Sequence, residues 1–576
     1  MRSRAMVVIG TLSATLVCGG GLLEAGYRGP DGGGLLDALP FRHNSGDGAA
    51  VFAEVVQHVS RDYVDSLDPD AMYQKAIDGM LNQLHDPHTV FLTPDRLRRL
   101  TESTTGTYVG LGIQVDIRDG WITIIAALPG SPAERAGIQT GDRLTEIDGQ
   151  PTHGWTQDEA TAALHGVPGT AVRLAVERPG VETPIRFSVA RREIHMRAVR
   201  HAELVRPTIG YVDAVIFSDS TARELQAAVD SLRARGMRTL ILDLRNDPGG
   251  LLTQGVAVAD LFLDSGQTIV RMHGRAAGTT REVVDDAPQR WPGMGVVLLV
   301  NGGTASASEI VAGALQDHDR ALIVGSPTYG KGSAQTLFHL DDAALKLTTA
   351  LWYTPSGRTI NRRSQRTNDG EGDDDADAGD GAPRPDTSVS KAVFRTDAGR
   401  VVYGGGGIAP DVAIGDSTAP SGDSALQRAL GTQWPVFRDA LTAYALSLKA
   451  ALGDAPSDAT SDATSDATSD APITPAMRDG LWQQMRKRGV RLDRATFDRM
   501  TPAVDRWMTT EIARYVLGAE TAFRASLTAD PVVRMAIEEA LHAASARDLV
   551  AHPLPAERPA ERPAADSAPH DRGRAR

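Results

Sequence analysis

The residues of this chain best suited to covalent chemistry gather in three short loops, each following an apolar, strand-like run. They are Asn246-Asp247-Pro248-Gly249-Gly250 after Leu240 to Leu244, Asn301 to Glu309 after Val296 to Val300, and Tyr329 to Gln335 after Ala321 to Gly325. In a parallel sheet such loops collect outside the carboxyl ends of the strands, so the three are expected to converge. Ser306 would open a helix whose apolar residues begin at Ile310 and Val311. Its hydroxyl would then sit beside free amides and the positive end of the helix dipole, a setting that suits a nucleophile. Ser306-Ala307-Ser308-Glu309 is equally a capping box, with Ser306 as the cap and Glu309 reaching back to its amide. From these residues alone both readings stand. Lys331 lies between Gly330 and Gly332, which strip away neighbouring side chains and permit close backbone approach. Gly325 to Lys331 has the outline of a phosphate-binding loop, but Gly332 stands where Ser or Thr must hold magnesium, so a nucleotide reading fails there.

These loops belong to a longer alternation of strand runs and helical stretches from Thr208 onward, which implies an α/β sheet with parallel strands. Residues 193–415 are expected to form that core, with a disordered acidic insert at 366–388. Upstream, 51–105 reads as a helical unit from apolar positions such as Phe52, Val55, Val56 and Val59, and 106–192 as a small β-rich domain. Downstream, 416–452 reads as helical, 453–473 as a low-complexity linker repeating Ser-Asp-Ala-Thr, 474–550 as a second helical unit and 551–576 as a disordered tail. At the front, Arg2 and Arg4 precede an apolar run from Ala5 to Val17, so 1–25 reads as an export signal or an uncleaved anchor, followed by a linker at 26–50.

Composition narrows the functions. The chain has 576 residues, 41% hydrophobic and 23% charged, which suits a multidomain soluble protein. A formal net charge of −13 offers no basic surface for a phosphate backbone, which argues against a nucleic-acid partner. Cys18 is the only cysteine, so the mature fold holds no internal disulfide, no thiol nucleophile and no cysteine-based zinc cluster. No metal and no cofactor are expected.

Taken together, Asp243 to Gly250, Thr304 to Glu309, and Gly330-Lys331-Gly332 with Gln335 resemble the carboxyl-terminal processing, or tail-specific, serine peptidases. The order and spacing match as well: the lysine follows the serine by 25 residues and the glutamine follows the lysine by 4. The resemblance runs from about Val51 to Asp411 and takes in Leu84-His85-Asp86-Pro87-His88. It implies a crotonase-like α/β protease core with an inserted β-rich PDZ domain and helical N- and C-terminal units. It further implies Ser306 as nucleophile, Lys331 as base and Gln335 as the residue that orients the lysine. Lysine is protonated at neutral pH, so Lys331 must have its pKa lowered by burial before it can accept a proton. The oxyanion donors implied are the amides of Gly250 and Ala307, with Gly249 as the alternative to Gly250. Tyr108-Val109-Gly110-Leu111-Gly112-Ile113 resembles the carboxylate-binding loop of PDZ domains, in which successive amides meet a terminal carboxylate while Leu111 and Ile113 line an apolar pocket.

The partners implied are protein substrates with exposed C-terminal tails, an adaptor of unknown identity, and the membrane through the N-terminal segment. The location implied is the periplasm or cell envelope. This sequence departs from the family pattern where Asp247 replaces a common second Asn, where Ala334 replaces a larger apolar residue, and in the acidic insert around Asp373. Asp317 matches a recurrent acidic position and reads as a surface carboxylate at a helix end. The competing reading is a catalytically silent PDZ scaffold on the same fold, with Ser306 only a cap and Lys331 only a turn lysine.

Overall fold

The computed structural model describes residues 45–179, 181, 183–362, 392–414, 421–452, 473–517, 523–524, 526–527 and 529–551. The export segment, the acidic insert, the Ser-Asp-Ala-Thr repeats and the C-terminal tail lie outside the described residues. Among the described residues no helix is long and apolar enough to cross a membrane.

Residues up to Gly79 form a unit of their own, made of helix α1 (Ser45–Asp62) and most of helix α2 (Pro69–Asn82). Beyond it, the 51–105 stretch is not wholly helical. Strand β1 (Val90–Leu92) intervenes before helix α3 (Pro94–Thr105), because the run Val90-Phe91-Leu92 fits a pleated ladder and pairs with a distant strand described below.

The β-rich unit comprises β2 (Thr107–Gly110), β3 (Ile113–Arg118), β4 (Trp121–Ala127), α4 (Pro132–Arg135), β5 (Arg143–Ile147), β6 (Gln150–Pro151), α5 (Gln157–Leu164), β7 (Ala171–Glu177), β8 (Ile185–Ala190) and β9 (Arg192–His195). Its main sheet runs β3-β4-β5-β7-β8, with β6 paired to β5, and encloses Ile122, Ile124, Leu144, Ile147, Leu174 and Val176. Strands β2 and β9 form a separate antiparallel ribbon through which the chain enters and leaves. Among the described residues strand β3 is an edge, with β4 as its only sheet neighbour.

The core contains β10 (Val199–Arg206), β11 (Ile209–Ala214), α6 (Thr221–Ala234), β12 (Thr239–Asp243), α7 (Leu252–Asp260), β13 (Thr268–Gly274), β14 (Arg281–Val284), β15 (Gly295–Val300), α8 (Ala307–Asp317), β16 (Leu322–Gly325), β17 (Ser333–Leu340), β18 (Ala343–Tyr353), β19 (Val393–Arg395), β20 (Val401–Tyr403) and β21 (Val412–Ala413). One sheet has the order β10-β11-β12-β15-β16-β21 and is parallel except for the antiparallel β10–β11 pair. Strand β15 is buried along its whole length, as a continuous apolar run in a sheet covered on both faces must be. Helices α6, α7 and α8 cover one face through Leu225, Val229, Val258, Val311 and Leu315.

A second, antiparallel sheet runs β1-β18-β13-β14, with β17 also paired to β18. The parallel-strand expectation did not include it. A correction also applies to Asp317, which is 2% exposed rather than a surface group and is ion-paired to the fully buried Arg358.

In the C-terminal part, α9 (Ser421–Leu430), α10 (Trp434–Leu452), α11 (Pro475–Lys487), α12 (Arg494–Arg499) and α13 (Thr501–Ile512) share a core around Phe437, Leu441, Leu481, Met485, Phe497, Val504 and Met508. This bundle touches the β-rich unit: Arg488 donates to Asp119 at 2.9 Å, Lys449 donates to the Thr140 carbonyl at 3.1 Å, and Ile125 packs against Ala445, Leu446 and Tyr515. The last helices, α14 (Pro531–His542) and α15 (Ala546–Ala551), do different work. Val532, Val533, Ala536, Ile537 and Leu549 cover the second face of the six-stranded sheet, over Ile209, Tyr211, Ile241, Val297 and Leu299.

Candidate active site

The turn after β12, the turn after β15 and the segment after β16 meet at the carboxyl edge of the parallel sheet, and their backbone is cross-tied. Asn246 and Asn301 exchange hydrogen bonds, Asn246 N to Asn301 Oδ1 at 2.9 Å and Asn301 Nδ2 to Asn246 Oδ1 at 3.0 Å. The Thr304 hydroxyl donates to the Leu244 carbonyl at 2.8 Å, and the Tyr329 amide donates to the Thr304 carbonyl at 2.9 Å. Each loop thus stands on its neighbour.

Ser306 precedes α8 with φ 56° and ψ −115°, a backbone conformation that costs a non-glycine residue about 1–3 kcal/mol and persists only where the surroundings impose it. Glu309 imposes it. Its Oε2 accepts from the Ser306 amide at 2.9 Å and also from the Lys331 amide at 2.9 Å, while its Oε1 accepts from Gly330 N at 2.7 Å and the Thr328 hydroxyl at 2.5 Å. Glu309 is fully buried, and burial pushes its pKa up against those donors. The capping-box reading captured only the Ser306 contact. The Glu309 amide donates to the Ser306 carbonyl at 2.9 Å, while the Glu309 side chain returns to the Ser306 amide as a capping box requires.

Lys331 is partly buried, and its pKa is lowered first by that burial and next by the charge of Lys346, against the opposing pull of Glu309 and Asp86. Lys346 on β18 is lowered by burial in turn. His88 lies in the same field, its pKa lowered by burial and by Lys331 and Lys346. Asp86 accepts from the Thr89 hydroxyl at 2.7 Å and the His88 amide at 3.0 Å, and Thr89 Oγ1 accepts from Thr348 N at 3.1 Å, which ties Leu84 to His88 to the lysine-bearing sheet. Lys346, His88 and Asp86 had no assigned role in the sequence. Only the β1–β18 pairing brings them here, and a strand register over such a separation leaves no local signal.

Gln335 does not make the expected contact. Its Nε2 donates to Ser333 Oγ at 3.0 Å and Thr348 Oγ1 at 3.4 Å, and among the described residues no hydrogen bond joins it to Lys331. The β17–β18 register shifts between Ala334 and Gln335, and such an irregularity re-aims the side chain that follows it.

The amides beside Ser306 fall into two groups. Gly249 N is taken, donating to Asp247 Oδ1 at 2.8 Å. Gly250 N and Ala307 N donate to nothing among the described residues, and Ala307 opens α8, where helix amides lack intrahelical partners. Both glycines are dictated by space: a Cβ on Gly249 would lie 2.5 Å from the Ala305 carbonyl oxygen, and one on Gly250 would lie 2.2 Å from that of Phe217. Beneath them, Asp243 accepts from Arg245 Nη2 at 2.6 Å and from the Tyr211 hydroxyl at 2.7 Å, and Arg245 Nη1 meets Asp530, the cap of α14, at 2.8 Å.

In the β-rich unit, Gly110, Leu111, Gly112 and Ile113 form the bend between β2 and edge strand β3, which lies beside α5. Gly112 has φ 74°, and a Cβ there would strike Ser131 Cβ at 2.4 Å. Leu111 is fully buried in the unit's core rather than lining an open pocket. Tyr108 stacks on His165 at the mouth of the bend, with ring centroids 4.8 Å apart.

Among the described residues the acidic group close enough to share a cation is Asp260, Asp285 and Asp286, at the end of α7 away from the Gly249-Gly250 turn. It includes neither Ser306 nor Lys331.

Two regions of the chain match known protein families. Residues 208–368 match peptidase family S41, and residues 123–178 match the PDZ domain. A carboxy-terminal-processing protease of Bartonella bacilliformis is 38% identical over 323 residues, covering 54% of this chain and 72% of that protein. The carboxy-terminal processing protease CtpA of Bacillus subtilis is 36% identical over 308 residues, covering 53% of this chain and 65% of that one. Among solved structures, the photosystem II D1 C-terminal processing protease is 27% identical and covers 66% of this chain and 97% of its own, with a TM-score of 0.35.

Proposed function

Since this chain belongs to peptidase family S41, as a carboxy-terminal processing serine protease, we propose that it cuts exported proteins at a Ser306/Lys331 centre after its PDZ domain has engaged their C-terminal tails. The observation that carries this reading is the shared carboxylate oxygen of Glu309, which fixes the backbone of Ser306 and of Lys331 at once. The rest of the chemistry follows from that placement. Neutral Lys331 takes the proton of the Ser306 hydroxyl as Oγ attacks the scissile carbonyl. Negative charge develops on the carbonyl oxygen and is met by Gly250 N and Ala307 N, two amides beside the serine that donate to nothing among the described residues. The ammonium of Lys331 then protonates the leaving amine, an acyl-enzyme forms on Ser306, and a water activated by the same lysine releases it.

Tail capture would use the Gly110 to Ile113 bend for the terminal carboxylate and the open edge of β3 for the preceding residues, which would add as a strand. The apolar run from Ala5 to Val17 behind Arg2 and Arg4 supports an envelope location, with that segment as signal or anchor. The test of the catalytic reading is labelling of the full-length protein with a serine-directed fluorophosphonate, followed by mass spectrometry of the modified peptide. The adduct is expected on Ser306. An adduct at another serine that abolishes cleavage, or undiminished cleavage by Ser306→Ala, overturns it.

A further inference from the structure

Asp247 is fully buried in the turn that carries Gly249 and Gly250. Its Oδ1 accepts from Gly249 N at 2.8 Å, and its Oδ2 has no hydrogen-bond partner among the described residues. Its carbonyl accepts from Ala305 N at 2.9 Å and from the Ser308 hydroxyl at 3.2 Å, so this one residue joins the glycine turn to the start of α8. The charge that reaches it from β11 is another carboxylate, Asp213, already engaged by His201 at 3.1 Å and Arg200 at 3.9 Å. On α8, Glu309 turns its carboxylate away toward Gly330 and Lys331. A carboxylate anion in such surroundings is far more costly than the neutral acid, because among the described residues the Gly249 amide alone replaces the water it has lost.

We propose that Asp247 works as a neutral carboxylic acid, and that its ionisation sets a negative charge beside the oxyanion amides and turns the site down as the pH rises. Asp247 is in this account a positioning residue, acting through the Gly249-Gly250 turn, and the account rests on the peptidase reading of Ser306. Burial drives its pKa up to about 7, against the hydrogen bond from the Gly249 amide and with help from Asp213. The folded acid holds its proton more tightly than the unfolded one, whose pKa is about 3.9. Folding is therefore progressively weakened as the pH climbs from about 4 to about 7 and levels off above that. Asn is nearly isosteric with Asp and cannot ionise, so Asp247→Asn isolates the charge.

The experiment compares full-length wild type with Asp247→Asn across pH 5 to 9 by three readouts. In infrared difference spectra, wild type should show the carbonyl stretch of a protonated carboxylic acid that fades as the pH passes neutrality, and the variant should lack it. The variant's melting temperature should fall less steeply than that of wild type between pH 5 and 7. The ratio of variant to wild-type kcat/KM should grow about tenfold from pH 6 to pH 9, a comparison in which the titration of Lys331 cancels. Asp247→Ser, also unable to ionise, serves if the amide variant does not fold. A ratio that stays flat, with no infrared band in wild type, overturns the proposal. If wild type cleaves nothing, the peptidase reading fails on its own, while the infrared band and the melting curves still decide the state of Asp247.

Discussion

The backbone amides of Ser306 and Lys331 donate to one and the same oxygen, Oε2 of Glu309, each at 2.9 Å. The proposed nucleophile and base are thereby held by their main chains, which leaves both side chains free for the proton exchange proposed for them. The arrangement makes Glu309 as consequential as either partner. Glu309→Ala should leave four buried donors without an acceptor, costing about 3–5 kcal/mol at roughly 1 kcal/mol each, and should abolish cleavage. Glu309→Gln should fold but lose at least about tenfold in kcat/KM, because an amide nitrogen replaces one acceptor. Denaturant melts paired with peptidase assays separate these outcomes.

Ser306→Ala should be inactive and unlabelled by a fluorophosphonate, with folding stability within about 1 kcal/mol of wild type, since losing a serine side chain at a helix cap typically costs no more than that. Ser306→Gly should be equally inactive yet more stable by about 1 kcal/mol, because glycine accepts φ 56° without strain. A glycine variant less stable than the alanine variant would contradict the strain assigned to this position.

The pH dependence should reveal Lys346. In an Asp247→Asn background, where no ionisation of Asp247 opposes it, activity is expected to rise with pH as Lys331 loses its proton, and the positive charge of Lys346 helps to place that limb. Lys346→Met removes a charge that disfavours the ammonium of Lys331, so the limb should move to higher pH. Lys331→Arg should be inactive at every pH, because a guanidinium does not give up its proton. A rate–pH profile unmoved by Lys346→Met would remove Lys346 from the account.

Tail capture is tested at both ends of the contact. A substrate with a free terminal carboxylate should be cleaved faster than its amidated twin, chiefly through KM. Gly112→Val should erase that difference, since a Cβ there strikes Ser131 and the φ of 74° is hostile to a branched residue. Equal cleavage of the two substrates by wild type would remove tail recognition while leaving the peptidase in place.

Asp530→Ala should cost about 2 kcal/mol or more, combining the loss of a helix cap with a poorly compensated charge on the largely buried Arg245. Arg245 shares Asp243 with Tyr211 at the base of the turn that leads to Gly250, so cleavage should fall in step. Asp530→Asn, which preserves the cap but not the charge, tells the two contributions apart.

The three loops were legible in the sequence because the physics that marks them is local: continuous apolar runs such as Val296 to Val300, then Asn, Gly and Asp where the chain must turn. Glu309 was visible only as a capping partner. Its contact three residues away leaves a spacing, whereas its contact with Lys331 depends on where β16 delivers the chain. The same limit hid Lys346, His88 and Asp86, which converge through the register of β1 with β18. Gln335 shows the converse, since its four-residue distance from Lys331 suggested a contact that a one-residue irregularity in the β17–β18 ladder redirects. Asp317 looked exposed because a helix end usually is, and Arg358, which buries it, arrives from a distant part of the chain.

Helix α14 closes the second face of the parallel sheet, yet it is encoded after the bundle of α9 to α13. A ribosome therefore delivers the serine, the lysine and every strand of the sheet well before it delivers their cover. Until Val532, Val533 and Ile537 arrive, Ile209, Tyr211, Val297 and Leu299 form an unshielded apolar surface, and Arg245 has yet to meet Asp530. The order of synthesis thus sets an order of assembly: the sheet is threaded first, and its second cover closes over strands that are already made.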